Sequence, residues 1–581
     1  MSTTSPAIHS WITSSQTRVF SSDTPKDSLR RLSGLRNEPL TFCLAYRANR
    51  QKDKNGRVPD MPISLQVTCE GMPLSVYKIC EVPYPAAECE DATDSTVGAC
   101  PDLLRPRAAA PVIDALPHDR HMPYRECGES CALNASCAVT QSVCITANED
   151  ARTLAAGDYE VHVRLLSLRS GETLAEHTVT LHLIDAALPE TDMIYTNWVH
   201  YDCLADDTGL PLWSDAYFDV LGKYLRNAVR HGMNTLLTPA FTPALDTPIG
   251  TERQNVQLVG VKRTDAGGYT FDFSLLRRFV ALARSCGIRC FEHCHLFSQW
   301  GAKHAINIYG EAGGRLCRLL GWDTPADDPA YVAFLQAYLP AFLSFAEEMG
   351  VRDSLLFHIS DEPRESQRED YARALATVEP LLGGCVIGDA LSHYELYRQG
   401  LVRLPIVDIE NADDFDGRCD RMMLYYTGGE ATPGLSNRLL TSAPQKTRIL
   451  GLQLFRYGAQ GFLHWGYNYT YGRMSCGHFD PAVEPGFYKN IPGVTYLVYP
   501  TRDGMMPSLR EKHMCEAMCD YRALTLLASR IGRDTVLSLC QKQLGQPIDR
   551  LTLPPTGEDM LAWRERINCE LERLTANGKS D

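Results

Sequence analysis

The chain has 581 residues and a formal net charge of −14, from 57 basic and 71 acidic residues. This length exceeds what one hydrophobic core usually supports, so two or more domains are expected. The acidic balance and the lack of a basic run argue against a nucleic-acid partner, because binding to phosphates draws on clustered Lys and Arg.

Features of the sequence also bear on location and cofactors. The first twenty residues lack the charged and apolar regions of a signal peptide, and no apolar stretch reaches the length of a membrane span. The 21 cysteines favour reduced thiols, so we expect a cytoplasmic protein without a membrane partner. Two cysteine groups lack the paired C-x-x-C spacing of structural zinc sites, and we predict neither a metal nor another cofactor. These groups are Cys286, Cys290 and Cys294 beside His293 and His295, and Cys127, Cys131, Cys137 and Cys144.

From about residue 10 to 185 the chain consists of short alternating segments broken by turn residues. They are TFCLAYRA, ISLQVTC, LSVYKICEV, SVCITAN, DYEVHVRLLSL and HTVTLHLID. Period-two alternation at this spacing predicts an antiparallel β-sandwich, which we assign to residues 1–188. The stretch 83–138, rich in Pro, Ala, Cys and acidic residues, is expected to be a long excursion across the sandwich or toward the next domain.

After the linker around Pro189, eight short apolar strands alternate with helical stretches. The strand candidates are 193–202, 233–241, 289–297, 355–363, 385–392, 404–411, 421–428 and 461–468. Helical periodicity fits 214–231, 274–286, 329–349 and 365–382, with 508–530 as the last barrel helix. The predicted fold class is therefore α/β plus β, with a (β/α)8 TIM barrel and a short C-terminal helical tail over residues 189–581.

The fourth strand candidate, LLFHISDEP, ends in two adjacent carboxylates, Asp361 and Glu362. In parallel α/β folds the carboxyl ends of the strands carry the chemistry. Pro363 is expected to end the strand and to hold Glu362 in extended or polyproline geometry. Asp-Glu-Pro alone would equally fit a solvated turn or a helix N-terminus. Other strand ends add aromatic and polar residues, a combination that suits a sugar.

Several longer strings resemble a known family. MNTLLTPAFTPALDT (233–247), HLFSQWGAKHA (295–305), HISDEP (358–363) and GFLHWGYN (461–468) are similar to glycoside hydrolase family 123, the β-N-acetylgalactosaminidases. The likeness runs from RNEPLTF (36–42) to PSLREKHMCEAMCDYRAL (507–524). The resemblance implies a β-sandwich joined to a (β/α)8 barrel and an exo-acting, retaining enzyme.

In the mechanism that the resemblance implies, the 2-acetamido oxygen of the substrate attacks the anomeric carbon. Glu362 would be the general acid and base, and Asp361 would orient the acetamide. Two carboxyls about 5 Å apart repel by roughly 3 kcal/mol at an effective dielectric constant of about 20, so one proton tends to stay on the pair. The expected partner is a glycan or glycoconjugate with a terminal β-linked 2-acetamido sugar. The candidate binding residues are Asp202, His295, Trp300, Tyr426, Asn437, Trp465, Tyr467 and Asn468.

Two alternatives remain open from the sequence. One is a conventional two-carboxylate glycosidase with Glu362 as acid and Asp202 or Asp389 as nucleophile. The other is a carbohydrate-binding barrel without catalysis. The preference for galacto or gluco sugars, the linkage and the oligomeric state do not follow from any spacing.

Overall fold

The computed structural model describes residues 8–49, 61–84, 98–107, 112–113, 133–135, 139–248, 250–428, 434–484, 486 and 491–577. Within them, sheets of a β-sandwich precede an eight-stranded parallel barrel, and two helices follow the barrel. The predicted fold class is confirmed. Most of the 83–138 excursion, with Cys127, Cys131 and Cys137, lies outside the described residues.

Alternating side chains build the sandwich from two sheets with strand orders β1-β3-β9-β5-β6 and β2-β11-β10-β4-β7, and β8 also pairs with β4. The pairings are antiparallel except that of β2 with β11, which is parallel. The inward residues of both sheets form one apolar core. The strands are β1 (Ile8–Ser14), β2 (Arg31–Leu35), β3 (Leu40–Ala48), β4 (Met61–Thr68), β5 (Leu74–Pro83), β6 (Ala99–Arg107), β7 (Val112–Ile113), β8 (Leu133–Ala135), β9 (Gln141–Ala147), β10 (Gly157–Ser167) and β11 (Thr173–Ile184).

Eight parallel strands form the barrel sheet, in the order β12-β23-β22-β21-β20-β19-β16-β13. Each of them lies within one of the eight predicted strand segments. The strands after the sandwich are β12 (Ile194–Asn197), β13 (Thr235–Thr238), β14 (Gly260–Arg263), β15 (Tyr269–Asp272), β16 (Cys290–His293), β17 (Ile308–Ala312), β18 (Arg315–Leu320), β19 (Leu355–Phe357), β20 (Val386–Leu391), β21 (Leu404–Asp408), β22 (Met423–Tyr425), β23 (Gly461–His464), β24 (Val498–Thr501) and β25 (Gly504–Pro507).

A side chain helps to close the barrel between its first and second strands. Asn234, just before β13, accepts a hydrogen bond from the Tyr195 amide at 2.9 Å through Oδ1. Its Nδ2 donates to the Met193 carbonyl at 2.8 Å, and its own amide donates to the Tyr195 carbonyl. One amide side chain therefore satisfies backbone groups that would otherwise need ladder partners.

Helices cover the outside of the barrel, and their ends follow local sequence signals. Ser214 caps α2 by accepting from the Tyr217 amide, and Asp328 caps α4 directly before Pro329. The helices are α1 (Tyr201–Thr208), α2 (Asp215–Arg230), α3 (Ser274–Cys286), α4 (Pro329–Glu348), α5 (Arg368–Val378), α6 (Tyr394–Arg398), α7 (Ala412–Phe415), α8 (Pro444–Arg448), α9 (Leu450–Tyr457), α10 (Leu509–Ile531), α11 (Arg533–Leu544) and α12 (Gly557–Asn577).

One described helix, α4, is long and apolar enough to cross a membrane by length and composition. Half of its most apolar window is buried, and its residues Tyr331, Phe334 and Tyr338 belong to the barrel core. Its hydropathy is therefore accounted for by packing against the barrel.

A small sheet made from two loop insertions was not predicted from the sequence. Strands β14 and β15 come from the loop after β13, and β17 and β18 come from the loop after β16. They pair in the order β15-β14-β17-β18. Both loops leave the carboxyl ends of barrel strands, so this sheet belongs to the same end of the barrel as the paired carboxylates.

Buried ion pairs join the sandwich to the helices of the barrel side. Asp102 on β6 accepts from Arg510 Nε on α10 at 3.0 Å, and both side chains are fully buried. Arg564 on α12 donates to both carboxylate oxygens of Glu38 at 3.0 and 2.8 Å. Strand β6, which lies within the predicted excursion 83–138, therefore belongs to the sandwich and contacts helix α10 through Asp102.

Candidate active site

Three loop residues separate the end of strand β19 at Phe357 from the pair of Asp361 and Glu362. The carbonyls of His358 and Ile359 still accept hydrogen bonds of 3.0 Å from the Leu296 and Phe297 amides. Residues 358 and 359 therefore still pair with the loop that follows β16, and only Ser360 separates this paired segment from the carboxylates.

Glu362 does not have the extended backbone that Pro363 led us to expect. Its φ angle is +42°, in the left-handed region that non-glycine residues seldom occupy. Such a conformation costs on the order of 1 to 3 kcal/mol and persists only where the surroundings impose it. Among cavity residues, Asp246 and Trp300 share this feature, with φ angles of 44° and 57°. Strained backbone of this kind is concentrated at functional sites.

Hydrogen bonds tie the acidic loop to the loop that carries Trp300. The Trp300 amide donates to the Asp361 carbonyl at 3.0 Å. Ser360 Oγ accepts from the amides of Gly301 and Ala302 at 3.3 and 3.1 Å. Two neighbouring βα loops are therefore fixed to each other, which holds the exposed indole of Trp300, 38% accessible, at the cavity.

Both carboxylates open into one cavity of about 350 Å³ at the carboxyl ends of the barrel strands. Most of its wall is apolar or aromatic, with few polar groups, which is typical of small-molecule sites. The lining residues are Trp198, His200, Leu245, Asp246, Trp300, Asp361, Glu362, Ala390, Tyr425, Thr427, Gly428, Leu463, Trp465 and Ile491.

The two carboxyl groups have different surroundings. Glu362 Oε1 accepts a hydrogen bond of 2.7 Å from the Tyr425 hydroxyl. The Asp361 carboxylate accepts none from the described residues. Burial, the Glu362 carboxylate and the Asp389 carboxylate raise the pKa of Asp361 well above its usual value, against the opposing charge of His358. The pair therefore retains a proton in a pH range where an isolated Asp has lost it.

A buried charged cluster lies beneath this pair. His358 Nε2 is 3.0 Å from Glu292 Oε2, and its Nδ1 is 3.5 Å from Asp389 Oδ1. Burial alone would lower the pKa of His358, but hydrogen bonds to Asp389 and Glu292 raise it to about 10. Trp198 Nε1 donates to Glu292 at 2.9 Å, and the Tyr371 hydroxyl donates to Asp389 at 2.5 Å. His358 is therefore an imidazolium between two carboxylates.

This cluster contains the one group of described residues whose donor atoms converge as metal ligands would. Ligand atoms of His295, His358 and Asp389 lie within 4.8 Å of one another, and none of the cysteines belongs to the group. A metal would need the neutral imidazole of His358, whereas its two carboxylate neighbours stabilise the protonated ring. These three side chains therefore favour a protonated His358 over a bound metal ion.

A second buried cluster supports the opposite wall. Arg253 donates to both oxygens of Asp202 at 2.8 Å and contacts His200 Nδ1 at 3.1 Å. His200 Nε2 donates to the Trp465 carbonyl at 2.7 Å. Burial and the Arg253 charge lower the pKa of His200 to about 3, so its ring is neutral. Asp202 is thus the ion-pair partner of Arg253 and does not line the cavity.

Of the candidate binding residues, the structure brings Trp300 and Trp465 to the cavity together with Asp361 and Glu362. The other six do not line it. Asp202 pairs with Arg253, His295 stacks on His358, Tyr426 donates to Met514 Sδ, Asn437 donates to the Thr427 carbonyl, Tyr467 donates to Glu511, and Asn468 contacts the backbone of His200.

Four cavity residues were not among the predicted binding residues, namely Trp198, His200, Asp246 and Tyr425. His200 and Tyr425 lie near the ends of predicted strands, so their positions in the sequence could have identified them as cavity residues. Asp246 does not lie at a strand end, because it is in an insertion eight residues beyond the end of β13, and its one signal was its place in the string MNTLLTPAFTPALDT (233–247) that resembles the family. Its approach to the cavity depends on the fold of that insertion.

Comparisons with known proteins found a matching family model and similar solved structures. A sequence model described as the glycoside hydrolase 123 catalytic domain matches residues 198–527, more than half of the chain. No curated protein matches the sequence. A family 123 glycoside hydrolase from Clostridium perfringens has a TM-score of 0.73 at 12% identity, covering 99% of this chain and 100% of that chain. A family 39 glycoside hydrolase from Bacteroides cellulosilyticus WH2 has a TM-score of 0.32 at 10% identity, covering 79% of this chain and 80% of that chain.

The matched region begins at Trp198, just after β12, and ends within α10, so it contains the cavity and both carboxylates. The likeness to the Clostridium perfringens enzyme adds that the sandwich and barrel share its fold over nearly the whole chain. The chain therefore belongs to glycoside hydrolase family 123.

Proposed function

We propose that this glycosidase is an exo-acting, retaining enzyme that releases terminal β-linked N-acetylgalactosamine by substrate-assisted catalysis. The observation that carries the proposal is the unequal environment of two adjacent carboxyls at one cavity. Glu362 is held by Tyr425, whereas Asp361 faces the cavity without a donor from the described residues. A substrate acetamide N–H is the donor that the Asp361 carboxylate would accept.

In this mechanism the acetamide oxygen attacks the anomeric carbon while Glu362 donates its proton to the leaving oxygen. The bond to the aglycone breaks and an oxazolinium ion forms, with its positive charge beside the Asp361 carboxylate. Glu362 then takes a proton from water, which opens the oxazolinium at the anomeric carbon and restores the acetamide. Two inversions give net retention.

The surroundings of the other acids support this proposal over a conventional glycosidase. Asp202 is engaged by Arg253 through both oxygens. Asp389 accepts from the Ile359 amide and the Tyr371 hydroxyl and contacts His358. Neither carboxylate lines the cavity, so neither nucleophile considered from the sequence has access to a sugar there.

The shape of the site supports an exo-acting enzyme. A cavity of about 350 Å³ is at the small end of ligand sites, which suits one sugar residue better than an extended chain. Trp465 and Trp198 line the cavity as apolar contacts for the ring, and exposed Trp300 is available to the aglycone. The structure of the Clostridium perfringens enzyme concerns glycolipid glycan hydrolysis. We propose a glycolipid glycan or another glycoconjugate as the substrate of this chain.

Aryl β-glycosides test the proposal. The 2-acetamido galactoside should be hydrolysed with N-acetyl-β-galactosamine as the first product by NMR, and the 2-hydroxy galactoside should not react. Replacing the acetyl group by trifluoroacetyl should slow hydrolysis, because the acetamide oxygen becomes a weaker nucleophile. Hydrolysis of the 2-hydroxy sugar at a similar rate would refute participation by the acetamide. Preference for the gluco epimer would refute the assigned sugar only.

Variants of the pair test the roles. Glu362→Gln should lower kcat/KM by about 100- to 10,000-fold, as loss of a general acid does. Asp361→Asn should lower it by about 100- to 1,000-fold, as loss of a charge-stabilising group does. Wild-type turnover by either variant would refute the assigned role. Binding of aryl glycosides without turnover by the wild type would instead indicate a carbohydrate-binding barrel.

Two further expectations stand as proposals. We place the domain boundary near residue 188, supported by one apolar core formed by residues 8–183 and another formed by residues 193–518. We also propose a cytoplasmic location, supported by free thiols on all 17 described cysteines. Limited proteolysis tests the boundary, and cell fractionation tests the location.

A further inference from the structure

We propose that Asp246 binds a ring hydroxyl of the terminal sugar and is a specificity-determining residue of the cavity. This inference rests on the proposed function, because it assigns a second contact to the same substrate. Asp246 lies in the loop between β13 and β14 and lines the cavity together with Asp361 and Glu362. The resemblance-based candidates did not include it.

Asp246 is fixed on one side and open on the other. Its Oδ2 accepts hydrogen bonds from the Tyr469 hydroxyl and from the Met474 amide, the latter at 3.0 Å. Its carbonyl accepts from Ser475 Oγ at 2.7 Å. The second carboxylate oxygen, Oδ1, accepts no hydrogen bond from the part of the chain that the structure describes. One oxygen therefore anchors the side chain, and the other remains an acceptor for a ligand.

The backbone of Asp246 is also constrained. Its φ of 44° lies in the left-handed region, which Asp visits more readily than most residues but still at a cost. Contacts from the loop after β23 hold this conformation at Oδ2 and at the carbonyl. A rigid acceptor that two loops hold in place discriminates between hydroxyl positions better than a mobile one.

The other ionisable groups of the cavity wall are already engaged. His200 donates through Nε2 to the Trp465 carbonyl and contacts Arg253 through Nδ1. The Tyr425 hydroxyl donates to Glu362. Asp361 and Glu362 are assigned to the acetamide and to the glycosidic oxygen. Among the described residues that line the cavity, Asp246 is therefore the carboxyl group that remains as an acceptor. Its partner is a hydroxyl away from C1 and C2, namely O3, O4 or O6.

Deoxy substrates combined with Asp246→Ala test the inference. The measured quantity is kcat/KM for the aryl 2-acetamido galactoside and for its 3-, 4- and 6-deoxy analogues. For the parent sugar the variant should lose about 10- to 100-fold, the size expected for one hydrogen bond to a charged group. One deoxy analogue should show this loss already with the wild type and no further loss with Asp246→Ala. The other two analogues should lose as much as the parent.

A matched control is Glu252→Gln in the same loop. Glu252 accepts from Arg318 at 2.9 Å outside the cavity, so its replacement should leave kcat/KM unchanged. If Asp246→Ala does not fold, Asp246→Asn keeps the size of the side chain and should show a smaller loss with the same selectivity among the analogues.

Several outcomes would overturn the inference. Equal kcat/KM for wild type and Asp246→Ala would do so, and so would a loss shared equally by the parent and all three analogues. A loss beyond about 10,000-fold that azide restores would identify Asp246 as a nucleophile and would refute both proposals. If the wild type hydrolyses none of these sugars, the proposed function fails, and calorimetric binding of N-acetylgalactosamine to both proteins then decides the inference. Equal affinities would overturn it.

Discussion

The hydroxyl of Tyr425 donates a 2.7 Å hydrogen bond to Glu362 Oε1, although the two residues are 63 positions apart in the chain. Tyr426, the next residue, sends its hydroxyl in another direction, to Met514 Sδ at 3.4 Å on α10. Successive side chains at the end of a strand point to opposite faces, so one tyrosine faces the cavity and the other faces the helical layer. The position of Glu362 thus depends on the register of β22.

Tyr425→Phe should lower kcat without unfolding the protein. The substitution removes one hydrogen bond to a carboxyl group, worth about 1.5 to 3 kcal/mol, so kcat should fall about 10- to 100-fold. KM should change little, because the proposed role of the hydroxyl is to orient the acid. Tyr426→Phe is the matched control and should keep wild-type kcat. Equal effects of the two variants would contradict the orienting role.

Asp361→Asn should raise the free energy of unfolding at pH 7 while it lowers activity. Because the pKa of Asp361 is raised and Asp361 shares a proton with Glu362, the folded pair holds a proton that the unfolded chain releases near pH 4. Stability from this group is therefore fully present below about pH 4 and is lost as pH rises toward the folded pKa. Each tenfold change in proton affinity is worth about 1.4 kcal/mol.

Urea denaturation at pH 4 and pH 7 measures this effect. The variant should be more stable than the wild type at pH 7, because it lacks the carboxyl whose pKa the fold raises. The difference should be much smaller near pH 4, where the carboxyl is protonated in the folded state and about half protonated in the unfolded chain. A gain that is the same at both pH values would show that charge on Asp361 is not its cause.

His358→Gln should destabilise the protein strongly. The substitution leaves Glu292 and Asp389 buried without their cation, a change that typically costs about 3 to 5 kcal/mol. Because the pKa of His358 is raised to about 10, its contribution is complete below about pH 6.5 and is lost as pH approaches 10. The difference in unfolding free energy between wild type and variant should therefore shrink across this range.

His293→Gln provides the control for that pH dependence. His293 is also buried, but burial lowers its pKa to about 4, so it is neutral throughout this range. Its replacement should cost stability by an amount that does not vary between pH 6.5 and 10. A pH-independent difference for His358→Gln would contradict the imidazolium.

The barrel was accessible to sequence analysis because its strands are buried on both faces. Segments such as Leu404–Asp408 read as short apolar runs between helices, and each predicted segment contains an observed strand. The sheet of β14, β15, β17 and β18 was not predicted because it forms between two insertions. Its pairing depends on tertiary position and leaves little periodicity in the sequence.

The site was accessible only in part. Asp361, Glu362 and Trp465 lie within five residues of the end of a strand, so their positions could be inferred. Trp300 could be inferred because it lies three residues beyond the predicted segment 289–297. Tyr426 was selected over Tyr425 because a local pattern does not fix which of two adjacent residues faces the cavity. Glu362 adopts φ of +42° despite Pro363, since tertiary contacts override the local preference.

The sandwich should be required for a stable barrel, because carboxylates from the sandwich neutralise buried cations of the barrel side. Asp102 contacts Arg510 at 3.0 Å, and Glu149 contacts Lys512, with little access to solvent at either pair. Asp102→Ala should cost about 3 to 5 kcal/mol, because Arg510 stays buried without its partner. Urea denaturation of the full chain measures this cost. Residues 189–581 expressed alone should fail to give a cooperative unfolding transition.

Glu176→Ala is the matched control within the sandwich. Glu176 pairs with Arg164 at 2.9 Å, but about half of each side chain is exposed, and exposed pairs contribute about 0 to 1 kcal/mol. Its loss should leave the unfolding free energy nearly unchanged. If Asp102→Ala costs no more than Glu176→Ala, or if residues 189–581 unfold cooperatively and hydrolyse the aryl glycoside, then the interface charges do not couple the two domains. The expected result is instead one cooperative unit, since Asp102 also accepts from the Tyr499 hydroxyl and the Arg510 amide at the start of α10.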